Sequence, residues 1–323
     1  MPRHRKARRL CAAPRDGETF GTRIHRPRAG GIRRNSEAYG QSGDGRKVSG
    51  TARARPPELV GGAVRGDRGG GVAEARINIL GVGVDALTLG ELHGRIRGFV
   101  REGGHALVLN ANAHCLNLAY RDPFLRRFLN QADIVFCDGA GVKYAARMLG
   151  GRMPERVTYA DWIHRLSDLA ASENFSIYFL GGKPGIAEKA ARELRKSRPG
   201  LKISGTHHGY FGNSGPENEA VIEKINAASP DILLVGMGMP RQEKWLMENH
   251  KKLNARVFLT GGAVFDYASG GLRRGPRFLT GNGFEWLARL AIEPGRLWRR
   301  YLVGNPLFAL RVFGQILRRK LSA

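Results

Sequence analysis

Asp138 is the residue whose type and place point most directly to chemistry. It follows an apolar run and precedes a glycine-bearing helix start, where a carboxylate can serve as a general base. The same position is a frequent helix N-cap, and by position alone capping is the better reading. Other polar or glycine-rich strings also follow apolar runs: Asn110, Gly181-Gly182-Lys183, Gly236-Met237-Gly238 with Met239-Pro240, and Gly261-Gly262. Glycine lets backbone approach a ligand closely, and a following helix offers free N–H groups and a positive dipole end. That suits a diphosphate, so a nucleotide-type ligand is implied. Glycine-rich turns are common in every α/β protein; three in one sheet are more persuasive than one. The string from Gly236 to Trp245 is the most specific, although Glu243 within it serves equally as a favourable charge at a helix N-terminus, about 0.3–1 kcal/mol. His207 and His208 are adjacent on a strand, so their side chains diverge, and they read as structural. Gly81-Val-Gly-Val-Asp-Ala86 resembles the start of a dinucleotide fingerprint, but the next strand ends in Asn110 and not in a ribose-binding acid.

The elements that must position these residues alternate along the chain. Short β-type runs are expected at residues 77–84, 106–109, 133–137, 176–180, 202–205, 232–235 and 256–259, and amphipathic helices at 88–101, 139–149, 186–196, 217–227 and 241–253. The pattern predicts a Rossmann-like α/β domain over residues 75–271, a mainly parallel sheet with helices on both faces. Ligands of such sheets bind outside the carboxyl ends of the strands, where the residues above fall. Beyond Gly271 the chain becomes a basic helical appendage, residues 272–323. Its last helix, from Pro306, places Arg311, Gln315 and Arg318 on one side and Ala309, Leu310, Phe313, Ile316 and Leu317 over the other. With Trp286, Trp298 and Tyr301 nearby, this reads as a helix for an anionic membrane surface; the alternative is ordinary packing on the domain.

The formal charge is +25, and the ends carry it: 17 Lys/Arg against 7 Asp/Glu in residues 1–75, and 11 against 2 in residues 272–323. The middle, with 25 Lys/Arg against 19 Asp/Glu, has the charge of an ordinary soluble domain, which argues against a nucleic-acid partner. Residues 1–74, rich in Arg, Gly and Pro, are expected to be disordered, and read better as a translated upstream region than as a binding arm. The next methionine is Met148, so a start near Val72 would need a non-AUG codon. Cys11, Cys115 and Cys137 show no CxxC spacing, which suggests neither zinc nor disulfides, and a reducing cytoplasm fits best. No apolar run is long enough to span a bilayer.

Asn110-Ala-Asn, Arg121-Asp-Pro-Phe, Cys137-Asp-Gly-Ala-Gly-Val142, Leu180-Gly-Gly-Lys-Pro-Gly185, Gly236-Met-Gly-Met-Pro-Arg-Gln-Glu-Lys-Trp245, Gly262-Ala-Val-Phe-Asp266 and Glu293-Pro-Gly-Arg-Leu-Trp-Arg-Arg-Tyr-Leu302 occur in one order. In that order the sequence resembles the WecG/TagA/CpsF family, glycosyltransferase family 26. The resemblance implies inverting transfer of an N-acetylmannosamine-type sugar from a UDP-sugar donor to an undecaprenyl-diphosphate-linked glycan acceptor in cell-surface polysaccharide synthesis. It also implies a peripheral protein on the inner face of the cell membrane and a tendency to homo-oligomers. Asp138 matches the proposed base, Asn110 the post-strand asparagine, and Gln242 and Asp266 pocket residues. Gly181, Gly182, Lys183, Gly236, Gly238, Pro240 and Glu243 fall on substrate-binding strings, and Arg289, Arg296 and Arg299 match tail arginines that fold over a diphosphate. There is no Asp-x-Asp motif, so no metal or other cofactor is expected. Two positions depart: Val108 stands two residues before Asn110 where a threonine is usual, removing a pocket hydroxyl, and Tyr159 replaces a small residue. The rival reading is a nucleotide-sugar- or dinucleotide-binding protein without transferase activity.

Overall fold

The computed structural model describes residues 76–272, 274–275 and 283–322; the expectation of disorder for residues 1–74 falls outside them. Six parallel strands form the central sheet in the order β4-β3-β8-β7-β5-β6. They are β3 (Ala106–Ala111), β4 (Ile134–Cys137), β5 (Ser176–Gly181), β6 (Lys202–His207), β7 (Ile232–Gly236) and β8 (Val257–Thr260). β3, β4, β7 and β8 are buried at every position, as a sheet covered on both faces requires. Two apolar layers do the covering: Leu107, Leu109, Val235 and Trp245 belong to one, Val108, Phe179, Leu234 and Phe265 to the other.

The single strand expected at residues 77–84 is a hairpin, β1 (Ile77–Ile79) and β2 (Val82–Val84). Leu80 and Gly81 both take positive φ, 54° and 87°, and reverse the chain where the hydrophobic pattern alone reads straight through. Asp85 ties the hairpin to β4: its carboxylate accepts from Val135 N at 2.7 Å and pairs with Arg76 at 3.1 Å.

Helices fill the crossovers: α1 (Leu89–Glu102), α2 (Ala113–Arg121), α3 (Pro123–Gln131), α4 (Ala140–Met148), α5 (Tyr159–Glu173), α6 (Ile186–Ser197), α7 (Pro216–Ala228), α8 (Arg241–Asn249) and the short α9 (Val264–Ala268). Their starts are chemically marked. Thr88 and Glu91 form a reciprocal capping box on α1, Asn112 caps α2, and Asp122 caps α3 ahead of Pro123.

The appendage continues as α10 (Glu285–Ile292), α11 (Pro294–Trp298), a π-helical turn (Arg299–Val303) and α12 (Gly304–Leu321). α12 lies on α2 and the hairpin, burying Phe308 and Val312. Its polar edge faces the domain: Arg311 donates to Asn117 Oδ1 at 2.7 Å, and Gln315 accepts from Leu80 N at 2.9 Å. Leu310, Phe313, Leu317 and Leu321 are exposed instead. The helix therefore packs on the domain and also presents an apolar outer face. No helix among the described residues is long and apolar enough to cross a membrane.

Candidate active site

A cleft of about 1110 Å³ opens over the carboxyl ends of β3, β4, β5, β7 and β8, between the sheet and the appendage. Asp138, directly after β4, forms part of its wall. It does not cap α4, whose N-cap is Gly139 without a side-chain bond. Its Oδ2 instead accepts from Asn110 Nδ2 at 2.8 Å and Asn112 Nδ2 at 3.5 Å, and Oδ1 takes part in neither bond. The position-based preference for capping is thus corrected: the carboxylate is held by Asn110 on the adjacent strand and by Asn112 at the start of α2. Thr260 Oγ1 donates to Asn110 Oδ1 at 2.9 Å, which fixes the amide with its donor end toward Asp138. Burial raises the Asp138 pKa above its ordinary value, against the two asparagines and the charges of Arg300 and Arg289. Val108, expected to leave the pocket short of a hydroxyl, is a fully buried core residue, and the hydroxyl that orients Asn110 comes from Thr260.

The glycine turns at the strand ends bind one another. Gly182 N donates to Gly236 O at 3.1 Å and Gly209 N to Gly182 O at 2.9 Å. Gly238 N and Gly262 N both donate to Gln242 Oε1, at 3.2 and 2.9 Å. The amides of Gly182, Gly238 and Gly262 are therefore not free for phosphate. What glycine supplies is closeness, since a Cβ on Gly181 would sit 2.2 Å from Gly236 O. Gly182, Lys183, Gly236 and Gly238 border the cleft, Gly181, Gln242 and Glu243 are buried behind its wall, and Pro240 is half-exposed between the lining residues Met239 and Arg241. Gln242 is fully buried, its Nε2 donating to Glu243 Oε1 at 2.7 Å. Its side chain clamps two cleft-lining turns together. Glu243 is buried with Oε2 unpartnered, and burial pushes its pKa up to about 7.

The appendage brings positive charge. Arg289 stacks over the Tyr267 ring at 5.6 Å, and Arg300 enters from the π-helical turn. The Nε atoms of both are buried and without partners, and Arg300 makes no ion pair among the described residues. Arg296 and Arg299 stand at the rim, the first paired with Glu293 at 2.8 Å, the second over the Trp298 ring at 5.2 Å. Asp266 also borders the cleft, its pKa raised by burial. Sequence reasoning missed Arg300, which lies eleven residues, close to three full helical turns, after Arg289. It also missed Asn112, which strand alternation aligns with Asn110. His114 was missed too; burial and Arg300 lower its pKa to about 4, so the imidazole in this wall is neutral. No cluster of three or more His, Cys, Asp or Glu side chains able to hold a metal occurs among the described residues.

A parallel sheet of this order with an oriented carboxylate and half-buried guanidinium groups over its carboxyl ends defines a Rossmann-like enzyme domain suited to an anionic ligand. The model of the family described as "Glycosyl transferase WecG/TagA/CpsF family" matches residues 77–322, and the chain belongs to that family; it is a glycosyltransferase. Similar curated proteins include two from Staphylococcus aureus, strains MRSA252 and NCTC 8325 / PS 47. Both are named N-acetylglucosaminyldiphosphoundecaprenol N-acetyl-beta-D-mannosaminyltransferase, and each is 26% identical over 240 residues, covering 74% of this chain and 92% of the relative.

Proposed function

We propose that this glycosyltransferase moves an N-acetylmannosamine-type sugar from a UDP-sugar to a sugar hydroxyl of an undecaprenyl-diphosphate-linked glycan, without a metal ion, at an anionic membrane surface. The observation that carries the reading is the placing of Asp138, oriented by Asn110 and Asn112, in one cleft with the guanidinium groups of Arg289, paired with Glu293 at 3.7 Å, and Arg300, which has no ion pair among the described residues. In this reading the acceptor oxygen attacks the anomeric carbon from the face opposite UDP. The bond from that carbon to the UDP oxygen breaks, UDP leaves with the electron pair, and Asp138 takes the acceptor's proton. Arg289 and Arg300 stabilise the charge that develops on the diphosphate, the task a divalent cation performs elsewhere. A half-buried cation without a counter-ion, as Arg300 is among the described residues, is costly in the free protein, and a diphosphate beside it removes that cost. The acceptor class and the sugar are those in the relatives' names.

The test is UDP release with a panel of UDP-sugars and a short-chain polyprenyl-diphosphate-linked N-acetylglucosamine, in the presence of EDTA. Acceptor-dependent release is expected, falling by about 10²–10⁴ in Asp138→Asn. Release abolished by EDTA would remove the metal-free mechanism, and an unimpaired Asp138→Asn would remove Asp138 as base.

A further inference from the structure

Tyr159 opens α5 and borders the same cleft as Asp138, yet its hydroxyl has no use in the free protein. The residue is 5% exposed, its ring packed against Phe136 and Trp162 with centroids 5.9 and 4.9 Å away. The hydroxyl is shut off from solvent and meets no hydrogen-bond partner. Its neighbour is not in that condition: Trp162 Nε1 donates to His93 Nε2 at 2.8 Å, so the aromatic cluster satisfies its polar groups elsewhere. Burial, helped by the charge of Asp138, holds the phenol's pKa well above its ordinary value, so it stays a donor at any working pH. Leaving a hydroxyl buried and unpaired weakens a fold, and phenylalanine would fill the same space without that defect.

We propose that Tyr159 is a specificity-determining residue whose hydroxyl, exposed to the cleft by a small side-chain movement when substrate binds, donates to an oxygen of a pyranose ring held beside Asp138. The inference rests on the transferase reading above and adds which side chain reads the sugar. The shared chemistry is a sugar oxygen, and it can belong to the transferred sugar or to the acceptor's terminal sugar; the arms of the experiment separate the two.

The experiment compares wild type with Tyr159→Phe in three measurements: thermal unfolding without ligand, binding of UDP alone, and steady-state transfer varying the UDP-sugar and the short-chain acceptor separately. Without ligand, Tyr159→Phe is expected to melt at or above the wild-type temperature, because it loses an unsatisfied group. UDP affinity is expected to be unchanged. kcat/KM is expected to fall by about three- to tenfold. A fall seen in the UDP-sugar dependence places the oxygen on the transferred sugar, and one seen in the acceptor dependence places it on the acceptor. Unchanged kcat/KM for both substrates overturns the inference, as does a clear loss of ligand-free stability, which would mean that the hydroxyl already has a partner. Absence of acceptor-dependent UDP release from wild type would overturn the transferase reading and this inference together, whereas an active wild type with an indifferent Tyr159→Phe sinks this one alone.

Discussion

Asp138 and Glu243 are both carboxylates raised by burial, and their partners give them different work. Asp138 borders the cleft, so its shift should be visible in catalysis: the acidic limb of kcat/KM is expected above the ordinary aspartate value of 3.8, and a pH–rate profile checks it. Glu243 lies behind the wall, so its shift should be visible in stability. Its folded pKa is about 7 against an ordinary 4.5, so between these values the folded state holds a proton that the unfolded state lacks. Stability from this group is therefore full at low pH and lost as pH rises through about 7. Glu243→Gln, which cannot ionise, is expected to gain on wild type as pH rises from 5 to 8, by up to about 3 kcal/mol in urea unfolding. An equal difference at both pH values would show that Glu243 does not titrate there. At this scale the sequence displayed the right residue types but not their partners. Asp138 reads as a cap until the pairing of β3 with β4 brings Asn110, and Asn112 just after β3, beside it. Tyr159, visible only as an unusual residue, gains meaning from the absence of a partner.

Elements were the most legible level. Each expected strand from residue 106 onward is present, because continuous apolar runs bounded by glycine and polar residues have few other ways to be buried in an α/β sheet. The hairpin at the start and the role of the glycines were not legible, since both depend on backbone angles and loop-to-loop distances that composition does not encode. Those loops carry their own predictions. Gly181→Ala would drive a methyl into Gly236 O and is expected to destabilise by about 1–3 kcal/mol or more in urea unfolding. Gln242→Leu removes the acceptor of the Gly238 and Gly262 amides and is expected to cost about 1–3 kcal/mol for each amide left unpaired. If Gln242 instead touches substrate, its replacement will lower kcat while leaving the unfolding midpoint where it was.

For the whole molecule, the uneven charge and the orientation of α12 bear on where the enzyme works. The helix spends its polar edge, Arg311 and Gln315, on the domain, which a helix optimised only for solubility would not do. The sequence showed that α12 has two unlike sides but not which one the domain takes, because Asn78 and Asn117, the residues that select the polar edge, lie about two hundred positions away along the chain. Leu310, Phe313 and Leu317 are 68, 54 and 45% exposed, and Arg318, Arg319 and Lys320 follow them at the helix end. Apolar side chains flanked by basic ones suit the boundary of an anionic bilayer, each apolar group contributing about 1–2 kcal/mol on insertion and each basic one about 1 kcal/mol near the surface. Replacing Leu310, Phe313 and Leu317 together by serine is accordingly expected to weaken binding to phosphatidylglycerol-containing vesicles by at least about tenfold, read by sedimentation. Transfer to a short-chain acceptor should change little, because these three side chains point away from Asn117 and the cleft wall that Phe308 and Val312 complete. Unchanged vesicle binding, with a change of molecular mass in light scattering, would make the same face a contact between copies of the chain, and the apolar surface would then serve assembly in place of the membrane.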